Sequence, residues 1–251
     1  MKKLGLIGFG KLGKRIAYRW KETGLDPLIF DPMMSPGDNE AFSFAASIGE
    51  IVESCELIYL VVPPNAVKEV LQSCVMIDED RQYIRAAAGV GLEELFEKSS
   101  NLARIMVSTL CQTGNSMIYL AGSIRKKTEK SLMESLSALG EVNQQKDDSR
   151  FDLLTAATAC APAYFFHTAD AFAEACLALG IPRKEAIVML KHLLSGVANS
   201  LDRDPVELRN EVLTPGGATI AGLKEFHNQG SLYELWHNAL KSAQDKCLGL
   251  K

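Results

Sequence analysis

A glycine pattern at the start of the chain limits its possible folds more than any other feature. Gly8, Gly10 and Gly13 have the spacing G-x-G-x-x-G, after the apolar run Lys3–Ile7 and before a helical pattern that ends at Glu22. A strand, this turn and a helix in that order are typical of a dinucleotide-binding unit. The glycines would provide a tight turn, close backbone approach to a pyrophosphate and close helix–strand packing. The alternative is a glycine-rich turn that holds no ligand.

The chain up to about residue 145 alternates between short apolar runs and helical patterns. Runs that are apolar throughout, rather than at every second position, are typical of strands buried on both faces of a parallel sheet. We therefore predict a doubly wound α/β sheet of the Rossmann type. The predicted strands are Lys3–Ile7, Pro27–Asp31, Leu57–Val62, Gln82–Ala87, Arg104–Val107 and Ser116–Leu120.

The remainder of the chain has the pattern of helices only. Apolar residues recur at helical spacing in 151–179, 183–201 and 217–227. The polar run 143–149 predicts a boundary between a Rossmann domain over residues 1–146 and a helical domain over residues 150–251. A bundle of roughly 100 residues has little interior in which to bury the apolar segment 156–179. We therefore expect dimerisation through the helical domain.

Other strand ends are expected to complete the nucleotide site, because carboxyl ends of parallel strands line the ligand crevice. Asp31 ends the second strand, where a carboxylate binds ribose hydroxyls and repels a 2′-phosphate. Since the chain has no Lys or Arg between Lys21 and Lys68, we expect NAD(H) or NADP(H) with NADH favoured. The alternative is that Asp31 only starts a turn and that a cation enters from elsewhere. The predicted cofactor-binding residues are Gly8, Phe9, Gly10, Lys11, Leu12, Gly13, Asp31, Val62, Pro63, Pro64, Ala87 and Gly89.

Composition argues against several other classes of protein. The chain has 27 Lys and Arg against 31 Asp and Glu, a formal net charge of −4, which disfavours nucleic acid as a partner. Its six cysteines form no C-x-x-C pair and are interpreted as free thiols in a reducing compartment. Its four histidines lack ligand spacing, so no metal is expected. No apolar run approaches the roughly 20 residues of a membrane span, and we predict a soluble cytoplasmic protein.

A second dense motif, Leu213–Leu223, is a turn of small residues that leads into a helical pattern. Its stretch Pro215-Gly216-Gly217-Ala218-Thr219-Ile220 resembles the signature of the pyrroline-5-carboxylate reductases, the last enzymes of proline synthesis. The likeness spans nearly the whole chain in order. It also includes the glycine pattern, Arg104-Ile105-Met106, Pro162-Ala163-Tyr164, and the stretches 178–183 and 204–209.

The resemblance implies transfer of a hydride from NAD(P)H to the imine carbon of L-1-pyrroline-5-carboxylate, which gives L-proline. Consecutive backbone N–H groups at a helix start suit a substrate carboxylate. The Thr219 hydroxyl, which in the family is thought to bind or protonate the ring nitrogen, would be the catalytic group. The alternative is a plain N-cap turn. The predicted substrate-binding residues are Thr214, Gly216, Gly217, Ala218, Thr219 and Cys160.

The resemblance also implies a homodimer interlocked through the helical domains, with larger assemblies such as a decamer. Two segments depart from the family. Its usual Met-x-Asn-Thr-Pro is Met106-Val107-Ser108-Thr109-Leu110, and its usual Ser-Gly-Ser-Gly is Thr158-Ala159-Cys160-Ala161. A lost hydrogen-bonding group in a small site alters discrimination between substrates. Cys160 is then either a substrate contact or a small buried residue at a helix start.

Two other functions therefore remain open. One is reduction of another cyclic imino acid, such as piperideine carboxylate, and the other is a non-catalytic nucleotide-binding paralogue. A β-hydroxyacid dehydrogenase is disfavoured, because such enzymes carry a catalytic Lys in the long helix and this chain has none between Phe151 and Pro182.

Overall fold

The computed structural model describes residues 3–35, 37, 39–86, 89, 91, 101–228 and 231–249. The chain forms two compact units, one made of Met1–Pro162 with Lys241–Lys251 and the other of Ala163–Leu240. The boundary between the units at Pro162 lies further along the chain than the boundary predicted at the polar run 143–149. The reason is that Phe151 and Leu154 belong to an apolar core on the sheet. As a division of the sequence into domains, 1–146 and 150–251 stays a prediction.

The first unit contains an eight-stranded sheet in the order β3-β2-β1-β4-β5-β6-β7-β8. Its neighbouring strands pair in parallel, except that β7 is antiparallel to β6. The order reverses between β1 and β4, which is the switch point of a doubly wound sheet. The predicted fold class is confirmed. The strands are β1 Lys3–Ile7, β2 Pro27–Phe30, β3 Ser43–Phe44, β4 Cys55–Leu60, β5 Gln82–Arg85, β6 Leu102–Met106, β7 Ser116–Gly122 and β8 Gly140–Gln144.

Two strands were not predicted, and β7 and β8 run opposite to the other six strands of the sheet. β3 has only two residues, and β8 is an edge strand of largely polar, incompletely buried side chains, so neither carries an apolar run. The polar run 143–149 therefore begins inside a strand, which corrects its interpretation as a separator throughout. β7 is antiparallel to β6 because only the 3₁₀-helix Thr109–Thr113 and short turns join them, and a parallel crossover needs about a dozen residues.

Helices cover both faces of the sheet. On one face α1 (Lys11–Glu22) and α4 (Glu129–Ser137) pack on a core that includes Leu57 and Tyr59 of β4. On the other face α2 (Ile48–Ser54) and α3 (Pro64–Ile77) pack on a core that includes Ile58 and Leu60. The alternation along β4 is what a strand buried on both faces requires.

The first long helix of the C-terminal half changes its geometry along its length. It begins as α5 (Phe151–Leu154), continues as a π-helical segment over Thr155–Cys160, here called the π turn, and then becomes α6 (Ala161–Ala178). The sequence predicts one helix over 151–179 and gives no sign of the π turn. Such segments are frequent at functional sites.

The second unit is helical, as predicted, and has little core of its own. It contains most of α6 with α7 (Arg183–Ser200), α8 (Pro205–Glu211), α9 (Ala218–Asn228) and the first part of α10 (Leu232–Leu248). Its buried apolar cluster consists of Ala173, Cys176 and Ala186, while large apolar side chains such as Leu193 and Val197 stay exposed. No helix in the described residues is long and apolar enough to cross a membrane.

Candidate active site

The glycine pattern forms the turn between β1 and α1, and two of its glycines are required by the protein itself. Gly8 has φ +104°, and a Cβ there would lie 2.3 Å from the Val61 carbonyl oxygen. A Cβ on Gly13 would lie 2.1 Å from the Gly8 carbonyl oxygen. Larger residues at either position would push the turn away from β4 or α1 away from the turn. The fold itself therefore accounts for both glycines, and their part in cofactor binding stays a prediction.

Gly10 is different, because no protein atom lies within 4 Å of where its Cβ would be. Its backbone, with φ −71° and ψ −164° at the N-cap of α1, is open to any residue. The fold therefore gives no reason for a glycine at this position. The empty space lies at the helix N-terminus, where backbone amides and the helix dipole favour an anion. A dinucleotide pyrophosphate fits this cradle, and a side chain would fill it.

The strand ends that the sequence assigns to the cofactor lie together at one edge of the sheet. Val61 donates its N–H to Ile7 at 2.8 Å, and Ala86 donates to Leu60 at 3.1 Å, so β1, β4 and β5 end side by side. The Cγ1 atom of Val62 lies 3.2 Å from where a Gly8 Cβ would be. Pro63 and Pro64 then start α3. Gly89 has φ +73°, and Ala87 lies outside the described residues.

The Asp31 carboxylate is fixed by two backbone amides. Its Oδ2 accepts the N–H of Phe9 at 2.7 Å, and its Oδ1 accepts the N–H of Met33 at 3.0 Å. The turn role that the sequence left open is therefore real, but ionised carboxylate oxygens keep further lone pairs for ribose hydroxyls. Sequence reasoning missed two nearby cations on α1. Lys14 lies over the ring of Phe9, and the Lys21 ammonium donates to the Ala41 carbonyl beyond β2.

Beside this edge a cavity of about 180 Å³, here called the strand-end cavity, opens between α1, the ends of β5 and β6, and the π turn. Most of its lining is apolar, and Arg104 is its charged member. Sequence reasoning missed the π turn as a wall, because apolar periodicity does not reveal a change of helix type. The lining residues are Leu12, Ala86, Arg104, Ile105, Met106, Val107, Thr155 and Ala159.

The segments that depart from the resembled family have local structural roles. Ser108, in place of an asparagine, is buried, receives the Leu110 N–H at 3.2 Å as the cap of the 3₁₀-helix, and contacts Ser116. Thr158 donates to the Leu154 carbonyl at 2.7 Å and touches the Met106 sulfur. Cys160 is half-buried but is not among the residues that line the strand-end cavity. Burial raises the pKa of its thiol, which keeps it protonated and a poor nucleophile at neutral pH.

The other predicted site residues lie in the second unit. Thr214 to Gly217 form a turn in which the Thr214 carbonyl accepts the Gly217 N–H at 2.9 Å and Gly216 has φ +71°. Pro at the second position and a positive-φ glycine at the third are typical of a type II turn. A Cβ on Gly217 would lie 2.2 Å from the Thr214 hydroxyl oxygen and 3.0 Å from its carbonyl oxygen, so a larger residue would displace the Thr214 side chain.

Thr219 stands in the first turn of α9, which begins at Ala218, and both side chains are exposed. Among the described residues, no hydrogen bond engages the Thr219 hydroxyl, so the local backbone bond of the N-cap alternative is not formed there. The first amides of α9 point out of the helix end, as in any helix. The Thr214–Thr219 loop therefore presents backbone donors and a hydroxyl next to each other.

Known proteins match both parts of the chain. Residues 148–250 match the sequence model for pyrroline-5-carboxylate reductase dimerisation. Residues 1–73 match the NAD-binding domain of D-isomer-specific 2-hydroxyacid dehydrogenases. The pyrroline-5-carboxylate reductase of Pisum sativum is 27% identical over 90% of this chain and 88% of its own. Along most of its length, the chain is therefore similar to the pyrroline-5-carboxylate reductases.

Solved structures show the same similarity. The reductase from Streptococcus pyogenes superposes with a TM-score of 0.85 at 25% identity, and the match covers 98% of each chain. The NADP-bound Plasmodium falciparum pyrroline carboxylate reductase gives a TM-score of 0.90 over 100% of this chain and 99% of its own. Its sequence is 20% identical, so this match supports the fold alone. With these similarities and a matching NAD-binding domain, the protein is an NAD(P)H-dependent oxidoreductase. Its dimerisation region makes it oligomeric.

In the described part of the protein, no group of three or more His, Cys, Asp or Glu side chains is placed to hold a metal ion. The histidines therefore contribute no assembled ligand set there. An imine carbon is already electrophilic, so positioning accounts for most of the catalysis that the protein must provide.

Proposed function

We propose that this protein reduces L-1-pyrroline-5-carboxylate to L-proline with a reduced nicotinamide dinucleotide. The observation that carries the proposal is Gly10, a glycine that the fold does not need, at the N-terminus of α1. Similarity to the pyrroline-5-carboxylate reductases supports the substrate class. The glycine turn would hold the pyrophosphate, Asp31 the adenosine ribose, and the strand ends at Val62–Pro64, Ala87 and Gly89 the nicotinamide half. The bound cofactor supplies a hydride to the imine carbon.

The protein's own part in the reaction falls to the Thr214–Thr219 loop. The backbone amides of Gly216, Gly217, Ala218 and Thr219 would bind the substrate carboxylate, because helix-start donors favour an anion. The Thr219 hydroxyl would hydrogen-bond the ring nitrogen, which becomes a basic amine and gains a proton as the carbon is reduced. Cys160, next to the cavity wall in sequence, would lie on the substrate side.

A direct assay tests the proposal. Purified protein is mixed with pyrroline-5-carboxylate and NADH or NADPH, and the loss of reduced-nicotinamide absorbance is followed together with proline formation. We expect proline in a one-to-one ratio with oxidised cofactor. The same assay with piperideine carboxylate tests the alternative imine that the altered Met106–Leu110 segment leaves open. Nucleotide binding with no turnover of either imine would instead support a non-catalytic paralogue.

We further propose that NADH is the preferred cofactor, because the fixed Asp31 carboxylate repels a 2′-phosphate. Asp31→Asn keeps an oxygen for the Phe9 amide but removes the charge. We expect the ratio of kcat/KM for NADPH to that for NADH to rise about tenfold, close to the cost of one unfavourable charge contact. Asp26→Asn is the matched control, since Asp26 is an exposed carboxylate of the same unit outside the turn. Equal shifts in both variants would contradict a specific role for Asp31.

We also propose a homodimer that covers an apolar groove in the second unit. The groove has a volume of about 1020 Å³ and runs between α7 and α8. It is lined by Val188, Met189, His192, Leu193, Gly196, Val197, Ser200, Leu201, Pro205, Leu208, Arg209, Glu211 and Val212. The unit's small core leaves Leu193 and Val197 more than half exposed, at 53% and 57%. A second copy is the occupant that the dimerisation match favours.

Leu193→Glu should convert this dimer to a monomer, because an unpaired carboxylate would have to be buried with the groove. Size-exclusion chromatography with light scattering measures the mass, and it also distinguishes a dimer from a decamer. Lys191→Glu is the control, since it puts the same side chain on the same helix outside the groove lining. An unchanged mass for Leu193→Glu would show that the groove is not part of the interface.

We also propose that the protein is located in the cytoplasm.

A further inference from the structure

Two buried arginines meet two carboxylates below the strand-end cavity. Arg85 and Arg104 are register partners on the parallel strands β5 and β6. Arg104 donates to Asp148 at 2.7 Å and to Asp152 at 3.3 Å, and an Arg85 nitrogen lies 4.0 Å from the same Asp148 oxygen. The arginine side chains are 0% and 4% exposed and the carboxylates 14% and 11%. We call these four residues the arginine clasp.

The clasp connects segments that are distant in the sequence. Asp148 lies after β8, in the last part of the polar run 143–149, and Asp152 lies in α5, just before the π turn. The Arg104 guanidinium also lies over the Phe151 ring, 4.9 Å from its centre. One arginine thus holds the start of the helix by two ion pairs and a ring contact. A planar guanidinium can do this because its donors are fixed in a fork, whereas an ammonium is a single point charge.

The clasp also bears on the cavity directly. Arg104 lines the cavity beside Ile105, Met106 and Val107 of its own strand and chain segment, and Thr155 and Ala159 of the π turn form the facing wall. Thr158 of the same turn touches the Met106 sulfur. Because the π turn follows the helix start directly, contacts that hold the helix start against β6 also set the position of this wall. The contacts from Arg104 to Asp152 and Phe151 are such an anchor.

We propose that the arginine clasp positions the π turn against β6, and that Arg104 is thereby a positioning residue that sets the substrate side of the strand-end cavity. The part of this inference that concerns catalysis rests on the proposed reductase function. Arg104 is not assigned a step in the chemistry. Its two carboxylate partners balance the charges of the buried arginines, so a buried group of four ions supports the wall at no net charge.

Arg104→Lys tests the clasp, because it keeps the charge and loses the fork. Asp152→Asn is the second variant, since it releases the π turn by removing the other partner. The matched control is Arg81→Lys, the same change in an Arg–Asp pair of the same 2.7 Å length that does not line the cavity. Two readouts are taken on folded protein, one independent of activity and one kinetic.

The first readout is the alkylation rate of Cys160 in the π turn, divided by that of Cys55, which is 0% exposed under the sheet. Alkylation at each cysteine is followed by peptide mass spectrometry. Local loosening of the π turn hydrates the Cys160 thiol, while global unfolding exposes both thiols. We expect the ratio to rise about tenfold or more in Arg104→Lys and Asp152→Asn, and by less than about twofold in Arg81→Lys.

The second readout compares the change in KM for pyrroline-5-carboxylate with the change in Kd for NADH. A displaced wall should raise KM for pyrroline-5-carboxylate about tenfold and leave the Kd of NADH within about twofold. A merely stabilising clasp would lower Tm and leave both constants unchanged. The proposal is overturned if the Cys160 ratio stays constant, or if the variants that raise it leave the imine KM of an active enzyme unchanged. A wild-type protein inactive on pyrroline-5-carboxylate would overturn the proposed function, and the alkylation ratio would still decide whether the clasp positions the π turn.

Discussion

Thr219→Ala should lower kcat for pyrroline-5-carboxylate reduction about 100-fold, close to the effect of losing one positioned proton donor. This corresponds to about 2.7 kcal/mol of transition-state stabilisation. The reason is that Thr219 presents an exposed hydroxyl without a hydrogen bond to the rest of the described chain, at the start of α9 and beside the Gly216–Gly217 turn. Cofactor affinity should change by less than about twofold, because the glycine turn holds the dinucleotide. Steady-state kinetics and NADH titration measure the two effects.

Two companion variants make the Thr219 result specific. Thr219→Ser keeps the hydroxyl and should retain most of the activity. Thr219→Val keeps the branched shape without the hydroxyl and should be as slow as the alanine variant. If Thr219→Val retained wild-type kcat, the hydroxyl would have no part in the proton balance. The loop Thr214–Thr219 would then contribute to the reaction only through its backbone amides.

Gly10→Ala should fold normally and bind NADH at least tenfold more weakly, a loss of about 1.4 kcal/mol or more. The added methyl group meets no protein atom within 4 Å and the backbone angles suit alanine, so the fold pays no penalty. It would occupy the space where a pyrophosphate must approach the α1 amides. Tm should stay within about 2 °C of the wild type, as for an unstrained surface change. Differential scanning fluorimetry and fluorescence titration measure both quantities.

Other glycines serve as controls for this result. Gly49→Ala makes the same change in the first turn of α2, where the nearest atom is a serine hydroxyl at 3.4 Å, and it should affect neither quantity. Gly13→Ala should lower both stability and NADH affinity, because its Cβ would lie 2.1 Å from the Gly8 carbonyl oxygen. Normal NADH binding by Gly10→Ala would mean that the pyrophosphate does not lie at this helix N-terminus.

The agreement between sequence and structure is best where local pattern and packing have the same cause. Buried parallel strands must be apolar on both faces, so β1, β2 and β4 are recognisable from their residues. β8 escapes prediction because an edge strand with polar side chains has no such requirement. The antiparallel β7 was recognised as a strand but not in its direction, which depends on the length of the connection rather than on residue type.

In the candidate site too, the features set by local sequence could be predicted and those set by packing could not. Gly8 and Gly13 could be predicted because a glycine-rich strand–turn–helix has one well-known geometry, and their close backbone contacts follow it. The cation Lys21 could not, because it contacts Phe42 and Ala41 after β2 from a helix that precedes them in the sequence. The wall made by Thr155 and Ala159 could not be predicted either, because apolar periodicity is the same on both sides of a π-helical segment.

The sequence by itself therefore determined the six apolar strands, the glycine turn, and the small-residue loop at Thr214–Thr219, because each depends on residues that are neighbours along the chain. Tertiary structure alone decided that Arg104 of β6 holds Asp148 and Asp152. It also decided that Gly10 faces empty space while Gly13 does not. These are contacts between distant segments, and their distances depend on how the helices pack on the sheet.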